Sequence, residues 1–128
     1  MGDAVVYVAS KTRLAPMWQG KRLEWGRRGI TISSTWIDEA GPGESDMTQL
    51  WPRIVREVRD SHFLIACHEE GDAWKGAYAE IGMALMIGIP IYFVGRPQGT
   101  LHLHPAVSDV ESVDAAVDSF LEDYCGSP

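Results

Sequence analysis

Five short apolar runs recur along the chain and alternate with longer amphipathic stretches. The runs span residues 4–9, 30–34, 63–66, 90–94 and 106–110. The first, third and fourth are almost continuously apolar and rich in β-branched or aromatic side chains. Such runs are typical of strands that are covered on both faces, as in a parallel sheet. The pattern therefore predicts five strands.

The stretches between the runs have helical spacing. They span residues 14–25, 47–58, 75–87 and 113–124. The second places apolar side chains at i, i+3, i+4, i+7, i+8 and i+11, which predicts an amphipathic helix with Ser45 as its N-cap. Pro52 inside it predicts a kink or a later start, because proline removes one helix hydrogen bond. The other helices have end signals in Gly29, Gly88 and Ser112.

Strands that alternate with helices predict an α/β fold of one domain, residues 1–128, with an open parallel sheet and helices on both faces. In such sheets the ligand binds beyond the carboxyl ends of the strands. The loops at that edge follow the first three strands and span residues 10–13, 36–44 and 67–76. We expect the functional site to lie among these loops.

Charge is unevenly distributed along the 128 residues, of which 45% are apolar and 23% charged. The formal net charge of −7 combines +4 over residues 1–30 with −11 over residues 31–128. A long nucleic acid needs a concentrated basic face, so this balance argues against such a partner. A small anion near the N-terminal third is compatible with it.

Cysteine use and hydropathy favour a cytoplasmic protein. Cys67 and Cys125 are the only cysteines and lie far apart, which argues against a disulfide scaffold. The longest uncharged run, residues 81–95, is interrupted by glycine and proline and is too short to cross a bilayer. Asp3 stands where a signal peptide would carry a basic segment. We therefore expect no membrane association.

Glu80 is the only Asp, Glu, Lys, Arg or His between Lys75 and Arg96. The residues three and four positions away are uncharged, so no ion-pair partner is expected on that face of the helix. Burying such a carboxylate is costly. One interpretation is that it complements the helix dipole. The other is a nucleophile or base at the crevice, where Gly76 and Gly82 allow a substrate to approach closely.

The segment around this acid resembles a known family. It reads Gly76-Ala-Tyr-Ala-Glu80-Ile-Gly82-Met-Ala-Leu85, followed by Gly88-Ile-Pro-Ile-Tyr92. With Val6-Tyr7-Val8-Ala9-Ser10, Asp60 and Arg96-Pro97-Gln98, it is similar to the signature of the nucleoside 2-deoxyribosyltransferase-like family, which includes nucleoside 5′-monophosphate N-glycosidases. The resemblance covers about residues 4–98. It implies a flavodoxin-like sheet of order 2-1-3-4-5 and assembly as a homodimer or larger homo-oligomer.

The resemblance also implies an enzyme that cleaves the N-glycosidic bond of a nucleoside or nucleoside 5′-monophosphate. In this chemistry the glutamate matching Glu80 attacks the sugar C1′, the base departs, and water or a second base resolves the glycosyl ester. Such cleavage passes through an oxocarbenium-like state that an adjacent carboxylate stabilises or captures. The family chemistry requires no cofactor, and we expect none.

Two aspartates typical of the family are replaced. At the position of the one that binds or orients the sugar and nucleophile, this chain has Pro52, with Arg53 beside it. At the position of the one that holds the base, it has Trp74. Asp72, two residues earlier, is a candidate to take over that catalytic role, since loops tolerate such shifts. The alternative is a solvated loop acid.

The loop after the first strand is the candidate phosphate site. Monophosphate glycosidases of the family hold a phosphate there, and Ser10-Lys11-Thr12-Arg13 supplies two cations and two hydroxyls. Lys75 is a third candidate cation. The alternative for this loop is a solvated basic segment. The other candidate binding residues are Gly76, Tyr7, which is expected to point to the crevice or the core, and Trp36, which stacks on a base or only packs.

A cysteine and two histidines suggest other kinds of chemistry. Cys67-His68 suggests a thiol nucleophile but lacks a third, orienting group. His102 and His104 have the alternation of metal ligands on a strand, but two histidines are too few, and we expect no metal.

Two other functions stay open. One is a non-catalytic nucleotide-binding module on the same fold. The other is an NAD-cleaving relative, for which this chain is small, since it would have to enclose a whole dinucleotide.

Overall fold

A five-stranded parallel sheet lies at the centre of the structure, a computed structural model that describes residues 3–39 and 47–125. In chain order the strands are β1 (Ala4–Ser10), β2 (Ile30–Ile32), β3 (Phe63–Cys67), β4 (Ile91–Val94) and β5 (Val107–Val110). Their order in the sheet is β2-β1-β3-β4-β5, and every neighbouring pair is parallel. The fold class and strand order expected from the sequence are confirmed.

In the described residues, four α-helices cover the two faces of the sheet. They are α1 (Ala15–Gly26), α2 (Met47–Arg59), α3 (Gly76–Ile87) and α4 (Val113–Phe120), the last continued by a π-helical turn (Leu121–Cys125). On one face α1 meets α4, where Trp25 Nε1 and Lys21 Nζ each lie 2.8 Å from the Asp114 carboxylate. On the other face α2 packs against α3. The sheet is therefore doubly wound.

The strands at the centre of the sheet are buried on both faces. All five residues of β3 are buried, and residues 6–9 of β1 are 0% exposed. Phe63 of β3 stacks on Phe120 of α4, with ring centroids 4.0 Å apart. Both faces of these strands contact apolar side chains, which explains why their sequences lack polar alternation.

Two helix ends follow the predicted signals. Gly88 ends α3 with φ +80°, in the left-handed region that glycine tolerates best, and its N–H donates to the Ala84 carbonyl at 3.0 Å. Ser112 caps α4, because its hydroxyl accepts a hydrogen bond from the Ala115 N–H at 3.0 Å. These local contacts satisfy backbone groups that a helix end would otherwise leave without partners.

Other boundaries differ from the prediction. The helix α1 ends at Gly26, three residues before Gly29. β2 is shorter than expected, and a 3₁₀ turn, Thr35–Asp38, follows it. Pro52 does not delay α2, which already begins at Met47 and continues through the proline. Ser45, the expected cap of α2, lies outside the described residues.

Apolar side chains are exposed where α2 and α3 meet. Val55, Met86 and Ile87 are 44%, 86% and 44% exposed, and they line a groove of about 450 Å³ between the two helices.

In the parts of the chain that the structure describes, no helix has both the length and the apolar character needed to cross a membrane.

Candidate active site

A cavity of about 270 Å³ lies at the carboxyl end of β1. Its walls come from the loop after β1, the 3₁₀ turn after β2, the first half of α2, the loop between β3 and α3, and the start of α3. The strand order reverses between β1 and β3, and an α/β sheet binds its ligand outside such a reversal. The lining residues are Ser10, Lys11, Thr12, Trp36, Leu50, Trp51, Ile54, Trp74, Lys75, Gly76, Ala77 and Glu80.

Glu80 reaches this cavity from α3 and is only 7% exposed. Burial raises the pKa of its carboxyl group to about 7 from an ordinary 4.5, an interaction with the Tyr7 hydroxyl opposes the rise, and the charge of Glu57 adds to it. Near neutral pH, both the protonated and the ionised form of this group are therefore accessible. A carboxyl group with a pKa near the working pH can act as a nucleophile or as a base.

Tyr7 lies beneath Glu80 in the middle of β1 and is 0% exposed. Burial, and then the neighbouring Glu80 charge, raise the pKa of its hydroxyl above the ordinary 10. The hydroxyl interacts with the Glu80 carboxyl group, although it makes no hydrogen bond of regular geometry to any described residue. Tyr7 therefore stays protonated and is placed to stabilise the charged form of Glu80.

Glu57 on α2 is a second acid behind the cavity, and sequence reasoning did not single it out. Its carboxylate accepts hydrogen bonds from Thr35, at 3.2 Å from the backbone N–H and 2.6 Å from the hydroxyl. Arg53 Nε lies 4.0 Å from Glu57, and the Arg53 guanidinium also pairs with Glu39. Glu57 thus lies between α2 and the 3₁₀ turn, and its negative charge disfavours ionisation of Glu80.

Three tryptophans line the cavity. Trp36 was expected there, and its Nε1–H donates to the Val8 carbonyl at 2.9 Å, which fixes the ring against β1. Trp51 and Trp74 were not among the predicted binding residues, although Trp74 belongs to a loop that was expected at the site. Trp51 lies against Gly76, where an added Cβ would be 3.6 Å from its ring, an ordinary contact distance. Indole rings suit the flat face of a nucleobase.

Two lysines, Lys11 and Lys75, also line the cavity, one from each of the loops after β1 and β3. Among the described residues neither has an ion-pair partner. Ser10 is more constrained, since its hydroxyl accepts from Trp18 Nε1 at 2.8 Å and donates to the Lys11 carbonyl at 3.0 Å. The two ammonium groups are therefore free to pair with an anionic ligand.

Arg13 and Asp72 lie beside the cavity and do not line it. Arg13 Nη2 is 2.7 Å from Glu69 Oε1 and 2.7 Å from Asp72 Oδ1. The structure thus gathers at the cavity the predicted residues Glu80, Ser10, Lys11, Trp36, Lys75 and Gly76, with Tyr7 beneath them. Arg13 and Asp72 instead pair with each other.

The thiol and histidine hypotheses concern groups outside the cavity. Cys67 is a buried free cysteine, and burial raises the pKa of its thiol to about 11, so it is protonated at neutral pH. His104 follows a 3₁₀ turn (Leu101–Leu103), and its Nδ1 accepts from the Ala106 N–H at 2.9 Å. Within the described residues no cluster of three or more His, Cys, Asp or Glu side chains is placed to hold a metal ion.

Solved structures with this topology include two enzymes. One is a 2-deoxyribosyltransferase from Leishmania mexicana, with a TM-score of 0.66 and 16% identity over 94% of this chain and 99% of that chain. The other is the CMP N-glycosidase BcmB of Clostridium botulinum, with a TM-score of 0.57 and 13% identity over 83% and 87% of the two chains. This chain has their fold. No protein-family model matches it, and no curated protein matches it in sequence.

Proposed function

We propose that this protein cleaves the N-glycosidic bond of a nucleoside or nucleoside 5′-monophosphate, with Glu80 as the nucleophile. The observation that carries the proposal is the position of Glu80, buried at the wall of a cavity at the carboxyl edge of the sheet. In the described residues no cation pairs with it. The resemblance of residues 76–92 to the deoxyribosyltransferase-like signature and the fold shared with two enzymes of this chemistry support the same reaction.

The proposed reaction has two steps. The Glu80 carboxylate attacks C1′ of the sugar, and the C1′–N bond breaks with its electron pair leaving on the base, which takes up a proton. A glycosyl ester of Glu80 remains. Water then attacks C1′ of the ester and releases the sugar as a hydrolysis product, or a nitrogen of a second base attacks and forms a new nucleoside. Either ending restores the Glu80 carboxylate, and neither requires a cofactor.

The side chains around Glu80 suit the parts of such a substrate. The rings of Trp36, Trp51 and Trp74 offer apolar surface for the base. Lys11 and Lys75 offer positive charge to a 5′-phosphate, which favours a monophosphate over an uncharged nucleoside. Tyr7 stabilises the ionised nucleophile from below.

The first experiment is a panel of ribonucleosides, deoxyribonucleosides, their 5′-monophosphates and NAD, with released base measured by chromatography. We expect release from at least one nucleoside or monophosphate and none after Glu80→Gln, which removes the charge and keeps the shape. Glu111→Gln, an exposed acid after β5, is the control and should retain activity. Release that survives Glu80→Gln would contradict the nucleophile. Binding without release would favour the non-catalytic nucleotide-binding module.

The second experiment tests the phosphate preference. Lys11→Ala and Lys75→Ala should each raise KM for a 5′-monophosphate about tenfold, the loss of one charge-assisted contact, and leave KM for the nucleoside unchanged. Arg27→Ala, an exposed cation at the end of α1, is the control. Equal changes in KM for the nucleoside and the monophosphate would show that the lysines do not bind the phosphate.

We further propose that the protein acts as a homodimer or larger homo-oligomer in the cytoplasm. The exposed apolar side chains of Val55, Met86 and Ile87 support an assembly that covers this surface. Sedimentation equilibrium tests it. Met86→Lys should shift the protein toward the monomer, whereas a monomeric unmodified protein would refute the assembly.

A further inference from the structure

Arg13 makes an ion-pair cluster that joins two separate loops. Its Nη2 lies 2.7 Å from Glu69 Oε1 and 2.7 Å from Asp72 Oδ1. Arg13 follows β1, within a 3₁₀ turn (Thr12–Leu14), whereas both acids belong to the loop between β3 and α3. One guanidinium therefore bridges chain segments that come from neighbouring strands.

Asp72 is the fixed end of this bridge. Its side chain is only 4% exposed, compared with 51% for Arg13 and 53% for Glu69. Its carboxylate also accepts from the Glu69 N–H at 2.9 Å, and its own N–H donates to the Glu69 carbonyl at 3.0 Å. His68 closes the same turn, because its Nε2 lies 3.0 Å from the Asp72 carbonyl oxygen. The β3–α3 loop is thus ordered around Asp72.

The two bridged loops are also the two that carry the lysines of the cavity. Lys11 stands two residues before Arg13, and Lys75 stands three residues after Asp72. Both lysines line the cavity, whereas Arg13, Glu69 and Asp72 do not. The separation of the two ammonium groups therefore depends on the separation of the loops, which the bridge spans.

We propose that Arg13, Glu69 and Asp72 form a strap that holds the two loops in register, so that Arg13 is a positioning residue for substrate binding and not a phosphate ligand. The strap itself is inferred from geometry alone. Only its effect on catalysis rests on the proposed function. Arg13 does not line the cavity, and two carboxylates already balance its charge, one of them almost fully covered. Lys11 and Lys75 line the cavity and have no ion pair with any described residue that an anion would have to break.

Amide hydrogen exchange tests the strap without any ligand. Arg13→Ala and Asp72→Asn should each speed exchange of the loop amides, including the Glu69 N–H, about tenfold, and the double variant should add little to either. Arg13→Lys should restore part of the protection, because lysine can still reach one carboxylate. The control is Arg28→Ala, which breaks a 2.7 Å pair between the turn after α1 and Asp118 of α4. Unchanged exchange in the Arg13→Ala protein would overturn the strap.

Substrate binding separates a positioning residue from a phosphate ligand. In the Glu80→Gln protein, where no cleavage is expected, the strap predicts that Arg13→Ala and Asp72→Asn weaken binding of cytidine 5′-monophosphate by a similar factor, about tenfold, with no further loss in the double variant. A direct phosphate contact predicts opposite signs, since Asp72→Asn would free Arg13 and tighten binding while Arg13→Ala weakened it. Opposite signs would overturn the proposal.

Kinetics give a third readout in the active protein. If the strap places Lys11 and Lys75, its loss raises KM for a 5′-monophosphate and leaves kcat nearly unchanged, because Glu80 and Tyr7 stand on other elements. Failure of the proposed function would be visible separately, as an unmodified protein that releases no base. The exchange measurement would still decide the strap in that case.

Discussion

Two acids that stand eight residues apart in the chain have opposite electrostatic environments. Glu80 is 7% exposed, and burial raises the pKa of its carboxyl group to about 7. The Asp72 side chain is 4% exposed, yet its pKa lies below the ordinary value, chiefly because the Glu69 N–H donates to it and also because Arg13 pairs with it. Asp72 is held at the surface by Arg13 and Glu69, whereas Glu80 lies in the interior. The two carboxyl groups therefore differ in depth as well as in the donors beside them.

The difference also separates two roles. Asp72 is charged and its oxygens are already paired, so it is suited to holding a loop. Glu80 has no cationic partner in the described residues and adjoins a cavity, so its oxygens are open to a reacting atom. An acid whose charged form is stabilised by its neighbours is suited to holding a loop in place. An acid whose charged form is destabilised by its neighbours is suited to taking part in a reaction.

Stability gives the largest expected contrast between the two acids. The folded pKa of Glu80, about 7, exceeds the unfolded 4.5, so the folded state is penalised once the unfolded chain has ionised. Glu80→Gln should therefore raise the free energy of unfolding by up to about 3 kcal/mol above pH 7, with the gain vanishing near pH 4. Urea titrations across this range measure it. A loss of stability at pH 8 would show that the Glu80 charge is compensated.

The opposite sign is expected for Asp72→Asn. The pKa of Asp72 is lowered in the folded state, so its contribution is present above the unfolded pKa and is lost as the pH falls through the folded one. The substitution should destabilise the protein at neutral pH and have no effect at strongly acidic pH. The same urea titrations provide the check, and a gain of stability at neutral pH would refute the pairing.

The pH profile of the proposed reaction sharpens the contrast further. If the Glu80 carboxylate attacks, kcat/KM should rise about tenfold between pH 6 and pH 8, with a midpoint near 7. The Asp72→Asn protein should keep the same midpoint, because Asp72 is not among the groups that set the ionisation of Glu80. A midpoint near 4.5 would mean that the nucleophile is fully ionised over this range and that its burial has no kinetic consequence.

Tyr7→Phe should have the smallest effect. The Tyr7 hydroxyl favours the Glu80 carboxylate, so its removal should move the midpoint of the pH profile above 7 and lower activity several-fold at pH 7. At pH 9 most of the loss should disappear. A loss that is equal at both pH values would instead assign Tyr7 a role in binding the substrate.

Hydrophobic periodicity predicted the strands and helices well. It did not predict most of the contacts between them. The apolar runs located all five strands because a strand covered on both faces has a local signature. Glu80 was found for a similar reason, since one charge in an apolar helix stands out in the sequence. The bridge from Arg13 to Asp72 joins distant parts of the chain, and no local pattern marks such a pair.

Trp51, on the cavity wall, is a second case in which periodicity does not predict a contact. Its position in the amphipathic stripe of α2 indicates an inward-facing side chain, but the stripe does not distinguish packing against the sheet from lining a cavity. Glu57, on the same helix, was missed because its partners, Thr35 above all, belong to the turn after β2. Such assignments require the geometry of two elements at once.

The distribution of the five tryptophans gives the protein an internal optical reporter. Trp36, Trp51 and Trp74 line the cavity, while Trp18 and Trp25 are 0% and 1% exposed on α1. A base that stacks in the cavity would quench the emission of the first group and leave the second as a constant background. Occupancy could then be followed by intrinsic fluorescence, without a label and without turnover.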